Sequence, residues 1–120
     1  GLVSVQIDVE GELPRDARVA AAFLQIIREA STNATKHAQA HRVHVRLWQE
    51  GADADGIAHM TISNDGSPAP VSYREGTGIP GMRHVAQDLG GSLEVHAAPP
   101  FTLTVSIPLS SNATVQRRSS

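Results

Sequence analysis

The 120-residue chain has no cysteine. That excludes a disulfide framework, thiolate catalysis and any cysteine-ligated metal, and it is compatible with a reducing compartment. Aromatic residues make up only 3 %, too few for a base-stacking surface. There is no excess of basic charge either, the formal net charge being −2, so the electrostatic footprint of a nucleic-acid binder is missing. No apolar run approaches the length of a membrane span, the longest lying between Val19 and Leu24. No basic segment followed by an apolar stretch marks a signal peptide. What remains, 40 % apolar residues with ten glycines and seven prolines, reads as one globular domain able to bury its own core.

Hydrophobic periodicity lays out the elements. Val3, Val5, Ile7 and Val9 alternate with polar residues, the pattern of a half-buried strand. Asp16 is placed to cap a helix running from about Ala17 to Ala38, whose apolar stripe is Phe23, Ile26, Ile27, Ala30 and Ala34. Strands follow over 43–48 and 57–63, then a Pro/Ser/Gly-rich stretch, 67–77, that reads as a mobile loop. Pro80 opens a short helix and Gly90-Gly91 closes it near Leu89. Two more strands, Leu93–Ala97 and Phe101–Ile107, complete residues 1–109, and the polar tail 110–120 is expected to be disordered. Strands in largely antiparallel succession with helices between them give an α/β (α+β) two-layer sandwich: a mixed, mostly antiparallel sheet of about five strands, with helices on one face.

Three segments carry chemistry. On the long helix, Glu29 and Asn33 lie one turn apart, with Lys36 and His37 about a turn further on. An amide oxygen suits magnesium, which takes few protein ligands and completes its shell with water and phosphate. Glu29 can hold a water beside it, and Lys36 and His37 can neutralise phosphate charge. A solvated helix face with i,i+4 pairs explains the same letters equally well. At a strand end, Asn64-Asp65-Gly66 could read adenine, the Asn64 amide accepting from an exocyclic amine and donating to a ring nitrogen. The commoner meaning of those letters is a turn. Third, Gly76-Thr77-Gly78-Ile79-Pro80-Gly81-Met82-Arg83 ends a loop and opens a helix, offering backbone amides to phosphate. It is neither a dinucleotide-binding nor a Walker fingerprint.

In this order and spacing, the three segments and Leu89-Gly90-Gly91 resemble the ATPase superfamily of DNA gyrase, the ninety-kilodalton heat-shock chaperone, histidine kinases and MutL, and within it the nitrate-sensor-like branch of bacterial sensor histidine kinases. The resemblance runs from Leu2 to Leu109 and implies a Bergerat-type ATP-binding fold. It implies Asn33 as the magnesium ligand, and Glu29, Lys36 and His37 as catalytic residues near the reacting phosphate. ATP would be bound by Asn33, Asn64, Asp65, Gly66, Gly76, Thr77, Gly78, Ile79, Gly81, Met82 and Arg83. Asn64 stands where relatives commonly carry an adenine-reading aspartate. Ser67-Pro68 and Pro99-Pro100-Phe101 depart from the family's glycines.

The cofactors implied are ATP and Mg2+. The implied reaction is transfer of the γ-phosphoryl to a histidine on a separate dimerisation domain of the same parent protein, with a response regulator downstream and no nucleic acid. The placement expected is cytoplasmic, compatible with a membrane-anchored parent, so the glycosylation patterns at Asn33 and Asn112 carry no consequence. Alternatives are a serine kinase of the anti-sigma-factor type and a degenerate, non-catalytic interaction domain. His37, His41 and His44 straddle the predicted helix end and the following strand, and no acidic residue completes a cluster with them, so a zinc site is not expected. His59, His84 and His96 are expected on surfaces.

Overall fold

A computed structural model describes residues 4–11, 16–34, 41–51, 55–65, 78–96 and 100–109. Among them the elements are β1 (Ser4–Glu10), α1 (Ala17–Asn33), β2 (Arg42–Glu50), β3 (Ile57–Asn64), α2 (Ile79–Asp88), β4 (Ser92–His96) and β5 (Thr102–Pro108). The sheet order is β1-β2-β3-β5-β4. Only β1 and β2 run parallel, joined through α1, and the other neighbours are antiparallel. The loop 67–77, the tail 110–120 and the expected extension of the first helix beyond residue 34 lie outside the described residues.

Strand register builds the core row by row. Val45, Ile62 and Leu103 pair across three strands, and so do Leu47, Met60 and Val105. All are buried against Val19, Phe23, Ile26 and Ala30 of α1 and Ile79, Met82 and Ala86 of α2. Both helices therefore cover the same face of the sheet, α1 packing on β3 and α2, and α2 on β4 and β5. Each fully buried aliphatic side chain in this layer contributes roughly 1.5–3 kcal/mol.

The helix ends are built as the sequence reading expects. The Asp16 carboxylate accepts from the Arg18 N–H at 2.8 Å and caps α1. Pro80 sits in the first turn of α2. At its other end Gly90 adopts φ +79°, and the Gly90 and Gly91 N–H groups donate to the Gln87 and Ala86 carbonyls, the paired bonds of a Schellman ending.

Two expectations need correction. β1 is not half-buried: Val5, Ile7 and Val9 are 40–48 % exposed. They share a face with the buried Val43, Val45 and Leu47, but β1 is the sheet edge and the helices pack over β3, β4 and β5. Alternation fixes which way side chains point, not whether anything covers them. His59 is not a surface residue either. Its ring stacks on Trp48 at 5.1 Å between centroids, Nδ1 lies 2.9 Å from the Ser106 hydroxyl and Nε2 lies 2.9 Å from Glu50, leaving the side chain 17 % exposed. His84 and His96 are exposed, as expected. His44 meets Asp8 at 2.6 Å across β1 and β2.

Close packing sets a contrast between two glycines. A Cβ on Gly91 would lie 2.2 Å from the Ser106 carbonyl oxygen and 2.9 Å from the Ile107 Cα, whereas one on Gly81 meets nothing within 4 Å. Gly91→Ala is expected to destabilise by about 1–3 kcal/mol through overpacking. Gly81→Ala, inside α2, is expected to stabilise by about 0.5–1 kcal/mol. Urea denaturation of the two variants checks both signs.

Candidate functional site

The site forms where the C-terminal end of α1 meets the start of α2. Gly78 makes the meeting possible. Its φ of +91° turns the chain into α2, and a Cβ placed there would lie 3.1 Å from Glu29 Oε1 and 3.2 Å from Asn33 Nδ2. The two side chains that sequence spacing puts on one helix stripe thus converge on the backbone of the glycine segment. Asn33 is buried, at 7 % exposure, while Glu29 reaches solvent. No side chain caps α2, whose first turn is held by Met82 N–H on the Gly78 carbonyl at 3.0 Å. α2 begins at that same corner, where a helix N-terminus favours an anion.

Two cavities adjoin this corner and share Met82 as a wall. The inner one, about 10 Å³, has Asn33 and Asn64 as its polar groups, with walls from Ala30, Val43, Ile62, Ile79, Phe101 and Leu103. That is room for about one water molecule, so a heterocycle enters only if these walls part. The outer one, about 270 Å³, is lined by Gln25, Glu29, Gly78, Gly81 and Val85. Asn33 and Asn64 are the two buried polar side chains among the described residues. Both sit at an apolar layer's end, Asn64 paired in register with Val43 on the helix-facing side.

The structure therefore gathers Glu29, Asn33, Asn64, Gly78, Ile79, Gly81 and Met82 into one place. Lys36, His37, Gly66, Gly76 and Thr77 lie outside the described residues. Asp65 and Arg83 line neither cavity. Arg83 Nε donates to the Leu93 carbonyl at 3.4 Å, turning toward β4. Asp65 is exposed, and its Oδ1 accepts the N–H groups of His41 and Arg42, each at 2.9 Å. The Arg42 N–H, with help from that of His41 and against partial desolvation, holds this carboxyl below its ordinary value of 3.8.

Sequence reading missed the apolar walls, above all Phe101 and Val43. The signal was present for Val43, Ile62 and Leu103, which alternate toward the core, and for Ala30, one turn before Asn33. Phe101 precedes β5, yet it continues the alternation of Leu103, Val105 and Ile107, which marks it as core-facing and not as a cavity wall. Among the described residues no group of three or more His, Asp or Glu side chains could hold a metal by itself.

Comparison with known proteins gives the chain its class. The chain belongs to the histidine kinase-, DNA gyrase B- and HSP90-like ATPase family, whose model matches residues 19–111. It is 33 % identical over 87 residues to the signal transduction histidine-protein kinase/phosphatase UhpB of Salmonella typhimurium, covering 72 % of this chain and 17 % of that protein. It is 29 % identical to the sensor histidine kinase MctS of Rhizobium johnstonii, covering 97 % of this chain and 26 % of that one. The chain thus spans about a sixth to a quarter of these curated relatives. In fold it matches the blue-light activated histidine kinase of Erythrobacter litoralis EL346, with a TM-score of 0.70 at 22 % identity over 95 % of this chain and 37 % of that one.

Two predictions follow from the geometry. Gly78→Ala imposes a left-handed backbone cost of about 1–2 kcal/mol and crowds Glu29 and Asn33, so ATP affinity measured by calorimetry should fall, whereas Gly81→Ala should retain it better. For Asp65 the folded pKa lies below the unfolded one. Its stabilising contribution is therefore complete above pH 3.8 and is lost as pH falls through the lower folded value. Urea denaturation at stepped acid pH should give a shallower loss of stability in Asp65→Asn than in the parent chain.

Proposed function

We propose that this chain is the catalytic ATP-binding domain of a sensor histidine kinase. In this reading it presents the γ-phosphoryl of ATP to a histidine on a separate dimerisation domain of its parent protein, from which a response-regulator aspartate is charged. The observation that carries the reading is the convergence of Glu29 and Asn33 on Gly78, directly beside a neutral cavity that ends at Asn64.

The residues fit a Mg2+ ion in the chemistry of their donors, a buried amide and a carboxylate at one corner, few in number as that ion prefers. Asn33 would hold it through its amide oxygen, with Glu29 positioned to orient a water beside it. When bound, the ion supplies charge neutralisation of the phosphate oxygens. The chain's own share is positioning, since phosphoryl transfer asks little covalent chemistry of the protein. Asn64 and the apolar walls seat the base. Gly78 and the α2 amides receive the phosphates, and Lys36 and His37, close behind Asn33 in sequence, add positive charge. The parent works in the cytoplasm, where ATP and a regulator are available.

Two relatives are named as sensor histidine kinases and a third as a signal transduction histidine-protein kinase/phosphatase, which supports this reading over a serine kinase of the anti-sigma-factor type. Thermal denaturation with Mg-ATP tests it. Nucleotide at a hundred times its dissociation constant should add about 2.7 kcal/mol of stability. Asn33→Ala should remove the magnesium-dependent part of that gain and leave the magnesium-independent part. No stabilisation at millimolar Mg-ATP would refute the reading in favour of a non-catalytic interaction domain.

A further inference from the structure

We propose that Asp65 is the positioning residue of the base-binding end: it clasps the entry of β2 and so fixes Asn64, one residue back, at the cavity. The role rests on the nucleotide reading above. The geometry is that of a staple at a strand end. The antiparallel ladder between β2 and β3 reaches the Val43–Asn64 pair, and a ladder's end is where strands fray. Here the next residue prevents it. Asp65 Oδ1 accepts from both His41 and Arg42 N–H at 2.9 Å, and the Asp65 N–H returns to the Arg42 carbonyl at 3.3 Å. Charge-assisted bonds to an ionised carboxylate are about twice as strong as neutral ones.

The clasp reaches beyond one pair of strands. The His41 carbonyl accepts from the Ser4 N–H at 2.9 Å, so the start of β1 hangs on the same segment. On its other side Asn64 donates its backbone N–H to the Phe101 carbonyl at 3.2 Å. Its main chain is thus fixed between Phe101 and the Asp65 clasp, and Val43 and Phe101 are themselves cavity walls. A recognition amide has to be held within about 0.5 Å and 10–20° of its working pose to discriminate. An exposed carboxylate that never enters the cavity does this by removing the freedom of the strand end. The carboxyl's lowered pKa agrees with its acceptance of two N–H bonds.

The test compares Mg-ATP with Mg-tripolyphosphate, which lacks the base, by calorimetry on Asp65→Ala and Asp65→Asn, with hydrogen exchange of the His41 and Arg42 amides read without nucleotide. Asp65→Ala should bind Mg-ATP about tenfold more weakly, the effect of roughly one well-placed hydrogen bond, while its affinity for Mg-tripolyphosphate stays unchanged. Its His41 and Arg42 amides should exchange faster. Asp65→Asn, whose amide oxygen accepts the same two bonds, should restore both readouts. If Asp65→Ala does not fold, Asp65→Glu, which displaces the oxygen by one methylene, should show the same selective loss.

Unchanged Mg-ATP affinity in Asp65→Ala, or equal weakening of both ligands, would overturn the positioning role and leave the nucleotide reading standing. So would a loss of ATP affinity with the two amides still protected, because that means direct contact with the base. A parent chain that binds neither ligand would overturn the nucleotide reading, and this role with it.

Discussion

The site depends on a missing Cβ. At Gly78 the chain must turn with a positive φ and pass within van der Waals contact of Glu29 and Asn33, and only glycine meets both demands without strain. That contact decides where α2 begins. The start of α2 in turn decides where Ile79 and Met82 enter the core and where two neighbouring cavities divide. One backbone position therefore couples the helix carrying the polar stripe to the helix carrying the glycine segment. Without it the stripe on α1 would be the solvated helix face that its letters describe equally well.

The second constraint is the cost of polar burial. Burying a polar side chain carries a desolvation cost that its hydrogen bonds must offset, yet Asn33 and Asn64 both sit at the rim of an otherwise apolar layer. Their placement is not an accident of helix or strand propensity, since each interrupts an apolar row, Asn33 after Ile26 and Ala30 and Asn64 after Met60 and Ile62. A sequence selected for stability alone would continue those rows. The interruptions mark where the core opens to a ligand.

What could be read from the sequence follows from the range of the interaction. Local signals were legible. The Asp16 cap, the first-turn Pro80, the Gly90-Gly91 ending and the period-two strands are all settled within a few residues of chain, and each is where the sequence puts it. The Glu29–Asn33 stripe was legible as a stripe, but its meeting with Gly78 bridges 45 positions of chain and needed the three segments together. Register and lateral order were not legible. The exposure of β1 depends on its lying at the sheet edge, which no alternation encodes. Asp65 and Arg83 belong to the recognised segments, yet their side chains point to β2 and β4. Successive residues of a strand or a helix project in different directions, so a motif cannot supply functional side chains at every letter. His59 was misplaced for a different reason: its partners Trp48 and Ser106 come from other strands.

The electrostatic layout of the two cavities sharpens the role of Asn64. The inner cavity is lined only by uncharged side chains, and the charged Glu29 belongs to the outer one, with Asn33 at the junction. An aspartate at position 64 would place an anion between Val43 and Phe101 at about the 9 % exposure that Asn64 has, where desolvation works against the charged form. The amide avoids that cost and retains one acceptor and one donor edge for a ring. Discrimination then has to come from the amide's orientation rather than from its charge. An orienting constraint on the strand end matters more with an amide here than with a carboxylate, whose two oxygens accept equivalently. That is why the neighbouring carboxylate is best placed outside the cavity: at Asp65 its charge is solvated, its pKa is lowered rather than raised, and its bonds act on the backbone that aims Asn64.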